Sequence, residues 1–216
     1  MKTLLKTLSF GFTMLLASTI NINAQSPLTF GVKGGITISD YSNDIKNNGR
    51  KIGYNAGVTV DYQFSRYFYI LSGLEVATKG SKIKDLYPSD EAFSKIKEKY
   101  DPIYLQIPLH AGYTLRAAED AAILFHGGPY LSYGVGGDIT VEKYSNEGRA
   151  RETYDAFGSK GVLNRWDFGI GLGIGFEHKG IAINFGYDLG ILDIYKGEPN
   201  VKNNTANLSF AYRFRR

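Results

Sequence analysis

From Trp166 to Phe176 the chain reads WDFGIGLGIGF, and its large apolar residues fall on every second position. Trp166, Phe168, Ile170, Leu172, Ile174 and Phe176 form one set, while Asp167, Gly169, Gly171, Gly173 and Gly175 form the other. A period of two places these sets on opposite faces of one β-strand. The small face is the unusual one. A strand whose back met water would carry polar side chains there, because glycine weakens a strand and packs nothing. A glycine face fits a crowded interior such as a narrow closed barrel, which leaves the greasy face pointing outward into lipid.

The same alternation recurs along the chain. Leu28 to Ser39 sets Leu28, Phe30, Val32, Ile36 and Ile38 against Thr29, Gly31, Lys33, Gly35, Thr37 and Ser39. Ile52 to Phe64 alternates without a fault. Phe68 to Lys79 is less regular, because Leu71 shares a side with Glu75 and Lys79, and this predicts a β-bulge. Further strands are expected over Ile103–Leu115, Ala121–Val135, Trp166–Phe176, Ile181–Gly190 and Ala206–Phe214. Connections after the first, third, fifth and seventh strands (40–51, 80–101, 138–165 and 192–203) are long and polar. Those after the second, fourth and sixth span a few residues. Within 80–101, Ser89-Asp90 could cap a short helix with Phe93, Ile96 and Tyr100 on one stripe.

This asymmetry predicts an all-β fold, an eight-stranded antiparallel up-and-down transmembrane β-barrel with short turns at one end and long loops at the other. The long loops are expected outside the cell and both mature termini in the periplasm. Strands of about 11 to 13 residues, when tilted, suffice to cross an outer membrane. Outward aromatics form two bands, with Phe30, Phe64, Phe68, Tyr113, Phe125, Phe176, Tyr212 and Phe214 near the short-turn end. Tyr54, Tyr133, Trp166 and Tyr187 lie near the long-loop end, and membrane interfaces select such bands. The competing reading is a soluble lipocalin-like barrel with its apolar residues inside. Its outer face would then be mostly Gly, Asn, Thr and Ser.

Composition narrows the chemistry. The chain of 216 residues has no cysteine, which excludes disulfides, thiolate metal sites and a cysteine nucleophile. A net charge of +4 is too mild to argue for nucleic acid. The slightly negative mean hydropathy is compatible with a barrel, since lipid-facing and lumen-facing residues alternate. Residues 1–24 read as a secretory signal peptide, with Lys2 and Lys6 ahead of a largely apolar Leu8–Ile20 and a small Ala24 before Gln25. A retained N-terminal anchor helix is the alternative. The domain division is therefore a signal peptide over 1–24 and an outer-membrane barrel over 25–216.

The inward face carries the candidate functional residues. Lys33, Asp61, Glu75, Lys79, Asp167, Glu177, Asp188 and Arg213 should point into the lumen and pair, because an unpaired charge in a narrow lumen is costly. His110 and His126 share that face. If the 116–120 turn is symmetric about Ala118, Leu115 pairs with Ala121, Tyr113 with Ile123, and the two histidines directly with each other. Two imidazoles alone make a poor zinc site, which usually needs three or four protein ligands. Catalytic, cofactor-binding and metal residues are all expected to be none. No local signature sets a histidine beside an activated serine and an aspartate. The run Gly169–Gly175 lies within a strand and offers no helix N-terminus to a phosphate, so it is no nucleotide fingerprint.

Several stretches resemble the porin-like outer-membrane protein β-barrel domain family of Gram-negative bacteria: FGVKGG (Phe30–Gly35), YLQIPLHAGY (Tyr104–Tyr113), GPYLSYGVGG (Gly128–Gly137), RWDFG, and the closing LSFAYRF (Leu208–Phe214). The resemblance covers almost all of 28–214. It implies an eight-stranded barrel in the cell outer membrane, with no established catalytic residues. It also implies that barrel-assembly machinery recognises the C-terminal strand, although Arg215 and Arg216 follow Phe214 here. The expected function is structural or surface-interacting, with outer-membrane lipid around the barrel and an extracellular partner on loops 80–101 and 138–165. A narrow porin-like channel or a transport- or secretion-associated component is the alternative, and a barrel enzyme ranks third. Eight strands leave an interior that side chains can fill, so the family name alone does not argue for an open pore.

Overall fold

The computed structural model describes residues 27–42, 48–85, 94–145, 148–159, 161–197 and 200–214. The expected leader lies outside them. Strands are β1 (Leu28–Tyr41), β2 (Asn48–Gly49), β3 (Lys51–Gln63), β4 (Phe68–Thr78), β5 (Lys82–Asp85), β6 (Lys95–Arg116), β7 (Ala121–Ser145), β8 (Gly148–Asp155), β9 (Trp166–His178), β10 (Ile181–Gly190) and β11 (Asn203–Phe214). All pair antiparallel. Eight of them close a ring in the order β1-β3-β4-β6-β7-β9-β10-β11, with β11 returning to β1 from Phe30↔Phe214 to Tyr41↔Asn203. Closure leaves no unpaired edge in the ring, which satisfies every ladder without water.

The alternation read from the sequence sorts the two faces. On β9, Trp166, Phe168, Ile170, Leu172, Ile174 and Phe176 are all exposed, while Asp167 and Glu177 are buried. The same holds on β11, where Leu208, Phe210, Tyr212 and Phe214 are exposed and Thr205 and Ser209 buried. Aromatic side chains meet at both rims of the band. Phe68 and Tyr113 lie 5.3 Å apart and Tyr212 and Phe214 5.3 Å apart at the short-turn end, with Tyr133 and Trp166 at 4.8 Å near the long-loop end.

The structure departs from the sequence reading in four places. First, the described residues of 80–101 and 138–165 are mostly strand rather than loop: β6 starts at Lys95, β7 runs to Ser145, and β5 and β8 flank them. Second, Ile96 and Tyr100 therefore sit on a strand and not on a helix, while Ser89, Asp90 and Phe93 lie outside the described residues. Backbone pairing on both sides outcompetes a single turn of helix, with Ile96 opposite Asp85 and Lys143. Third, β4 keeps one register with both neighbours, and Leu71 simply points into the lumen. The bulge lies instead between Ile103 and Tyr104 of β6 and their β7 partners, with Val135 as the extra residue. Fourth, the β6–β7 hairpin pairs Leu115 with Ile123 and Tyr113 with Phe125, two residues away from the expected register. The amides of Ala117 and Ala118 both donate to Ala121 O, so the turn closes one residue later than symmetry about Ala118 requires. A two-residue slip leaves every side chain on its face.

Candidate functional site

Among the described residues buried charge concentrates in the lumen, where it is organised in layers. Nearest the short turns, Arg213 from β11 bridges Asp61 of β3 and Glu177 of β9, with its Nη1 2.6 Å from Glu177 Oε2. Its guanidinium also lies 5.7 Å from the Tyr69 ring centre. A planar fork with five donors suits two carboxylates at once. One layer further, Lys33 Nζ donates to Glu75 Oε1 at 2.7 Å. Nearest the long loops, Lys79 Nζ lies 2.8 Å from Asp167 Oδ2, and both side chains are essentially inaccessible to solvent. Asn203 donates to the same oxygen at 3.0 Å, and Lys79 sits 4.3 Å from the Tyr130 ring centre.

Asp188 is the exception among the eight candidate charges. It takes its hydrogen bond from the Gln106 amide at 3.0 Å rather than from a cation. Gln106 in turn accepts from Ser132 at 2.9 Å. Gln106, Ser132 and Tyr130 were all on inward positions of the sequence pattern, with only their partners invisible there; Asn203 fell in the expected 192–203 loop and joins the lumen because β11 starts at Asn203.

His110 and His126 meet inside the barrel, but diagonally. His126 is registered against Gly112, and the side chains close the remaining gap. Their Nδ1 atoms are 2.9 Å apart, the ring centres 5.1 Å apart, and the planes inclined by 21°. One Nδ1 must carry its hydrogen and the other its lone pair for that contact. The glycine face of β9 explains where the rings go. A Cβ at Gly173 would lie 2.4 Å from His126 Nε2, and one at Gly171 would lie 2.9 Å from His110 Nε2 and 2.7 Å from Asp188 Oδ1. The glycines are thus the seats of the imidazoles. Gly173→Val is expected to destabilise the barrel by about 1–3 kcal/mol through overpacking, and adding His126→Ala should recover most of the loss in a urea titration in lipid vesicles. No recovery would place the clash elsewhere.

Above these layers the mouth is filled by apolar side chains. Tyr41, Tyr100, Tyr104, Ile139, Phe157, Leu163, Ile194 and Val201 form one buried cluster. Phe157 packs edge-on against the inward-facing Tyr104 at 5.6 Å and lies against Gly134, where a Cβ would come within 2.2 Å of its ring. At the side of the mouth Lys51 and Lys99 bridge Asp101 at 3.0 and 2.6 Å. Burial pushes the Asp101 carboxyl up, but the hydrogen bonds from Lys99 and Lys51 outweigh it and hold the group below its ordinary value. Between the cap and the arginine layer the free cavity is about 70 Å³. Among the described residues no group of three His, Asp or Glu side chains is arranged to hold a metal ion.

An outward apolar band, an inward charged lumen and a closed antiparallel ring describe a membrane barrel, and the sequence profile of the outer membrane protein beta-barrel domain matches residues 23–196. The chain belongs to this family. It is an outer-membrane β-barrel protein of the Gram-negative type. Among the described residues no helix is long and apolar enough to cross a membrane; this outer-membrane barrel crosses with strands. No curated protein sequence matches it. Among solved structures, it is similar to Ail, the attachment invasion locus protein of Yersinia pestis, at 16% identity over 86% of this chain and 98% of that one, with a TM-score of 0.43. Neisserial surface protein A is similar at 12% identity, covering 86% and 97% of the two chains with a TM-score of 0.45. OprG from Pseudomonas aeruginosa follows at 13% identity, 87% and 96% coverage and a TM-score of 0.41.

Proposed function

We propose that this outer-membrane barrel acts as a structural and surface-interaction protein, with its long-loop end outside the cell, rather than as a channel or an enzyme. The observation that carries this reading is the obstructed lumen. Ion pairs occupy it at three levels, and Phe157 with Tyr104 caps its mouth. Solute passage would require burying a hydrated molecule among paired charges that already satisfy one another. The substance of the molecule outside the ring is the sheet built by β5, β8 and the extensions of β6 and β7, and that is where a partner would engage. The leader over 1–24 belongs to the same proposal, with Gln25 as the first mature residue.

The absence of native cysteine makes the orientation directly testable. Ser159 lies exposed at the long-loop end and Glu119 exposed in the 116–120 turn. In intact cells a membrane-impermeant maleimide should label Ser159→Cys and spare Glu119→Cys, with both labelled after lysis. Reversed labelling would overturn the orientation. In planar bilayers the purified barrel should show no steady conductance, and a discrete open level would favour the narrow channel instead.

A further inference from the structure

β6 does not end where the lipid-facing band ends. It runs unbroken from Arg116 to Lys95, so alternate residues keep to one side, and Leu109, Ile107, Leu105 and Ile103 are followed by Asp101, Lys99, Lys97 and Lys95. The extra residue at Val135 shifts the parity of β7 and brings Thr140, Glu142 and Tyr144 onto that same side. One rung across the four strands then reads Lys84, Lys97, Glu142, Arg151. The next reads Lys82, Lys99, Thr140, Thr153, with the two threonine hydroxyls 3.4 Å apart. A third joins Lys95, Tyr144 and Arg149. Among the described residues of these rungs Glu142 is the sole carboxylate, and Arg149 and Tyr144 already engage it. Beneath them lies an acidic rung, Asp101, Asp138 and Asp155, of which Asp101 is bridged by Lys51 and Lys99.

The reverse side of this sheet is occupied, since Ile83, Tyr100, Ile139, Val141 and Tyr154 pack onto the apolar cluster over the mouth. The basic side has no covering element among the described residues. Charges confined to edge strands could serve merely to prevent edge-to-edge pairing. Lys97 and Lys99 sit on β6, which is paired on both sides, so that purpose does not account for them.

We propose that this basic face docks the phosphorylated headgroups of the glycolipid that surrounds the barrel in the outer leaflet. Position argues for a lipid rather than a soluble ligand, because the face is a direct continuation of the lipid-facing surface. At about 3.3 Å per residue, Lys99 and Lys95 lie roughly 13 and 26 Å along the strand beyond Ile103. With the strand tilted by about 45°, these are heights of roughly 9 and 19 Å above Ile103, so the face rises directly from the hydrocarbon boundary. Chemistry argues for phosphate: neighbouring strands set cations about 4.8 Å apart, and Lys and Arg bond phosphate oxygens through charge-assisted hydrogen bonds. Lys97 and Arg149 are held at one height by the Tyr144 ring, 5.0 and 5.5 Å from its centre. The proposal rests on the long-loop end facing outward.

The test uses the full chain in detergent micelles, titrated with diphosphorylated lipid A, with the same lipid after phosphatase treatment, and with heparin as a soluble polyanion. The wild type should hold the phosphorylated lipid at least about tenfold more tightly than the dephosphorylated one, with the difference shrinking as salt is added. At about fivefold per cation near an anionic surface, Lys84→Gln/Lys97→Gln/Arg151→Gln should weaken binding roughly a hundredfold. Arg66→Gln/Arg116→Gln, at the opposite end, should leave it unchanged. Heat-modifiable mobility on gels reports that each variant is folded. Equal affinity for the dephosphorylated lipid, or wild-type affinity in the triple variant, overturns the proposal. Tighter binding of heparin than of lipid A overturns it in favour of a soluble polyanion. Binding in micelles does not depend on orientation, so its failure is distinct from reversed cysteine labelling.

Discussion

Asp167→Asn will lower the unfolding free energy of the barrel in lipid by about 3–5 kcal/mol. The substitution keeps the shape of the side chain and removes its charge, which leaves the Lys79 ammonium buried without its counter-ion. Ser132 at 3.4 Å and the Tyr130 and Tyr104 rings remain near it, but none carries a negative charge. Removal of one partner of a buried pair costs more than the pair itself contributes, because the orphaned charge has already lost its water. The double variant Lys79→Met/Asp167→Leu should therefore regain most of the stability lost by the single one. Urea titration in vesicles, followed by tryptophan fluorescence from Trp166 next to the site, measures both. Equal destabilisation of the single and double variants would show that packing, not charge, holds this layer together.

Leu172→Arg is the second large effect, expected to cost about 2–4 kcal/mol near the bilayer midplane. Leu172 is 59% exposed and lies midway along β9, between Gly171 and Gly173, which hold the histidine rings on the other face. A guanidinium there must either enter hydrocarbon or bend several ångströms toward a headgroup region. Val58→Arg on β3 should behave alike, registered against Val32 and Leu74 on the same outward face. In detergent micelles, whose thin apolar shell lets the side chain reach water, the penalty should shrink. A Leu172→Arg barrel as stable in lipid as the wild type would invert the assignment of the two faces.

Much of this molecule was legible in the residue pattern because a strand has a period of two and a barrel wall has only two sides. Once Leu172 was outward and Gly171 inward, every strand with the same alternation had to follow, and the charged members Lys33, Glu75, Asp167 and Arg213 fell on the lumen side. Face assignment is insensitive to register, so it survives a two-residue slip. Register is not protected in that way. The hairpin at 116–120 was placed two residues off, because the hydrogen bonds that Ala117 and Ala118 make to Ala121 are a property of the turn backbone that alanine side chains do not announce. The diagonal meeting of His110 and His126 depends on that slip.

The polar stretches 80–101 and 138–165 were illegible for a different reason. Residues such as Lys97, Glu142 and Arg151 show no apolar alternation, since one side of their sheet faces solvent and the other is covered by Phe157, Leu163, Ile194 and Val201, which come from other segments. Alternation therefore determined by itself that this chain is a membrane barrel with charge inside, because burial on a closed ring is a local, per-residue condition. Which charge pairs with which, how the mouth is capped, and that a basic sheet rises above the lipid band were decided only by tertiary structure. Those features are contacts between segments whose relative register no single segment encodes.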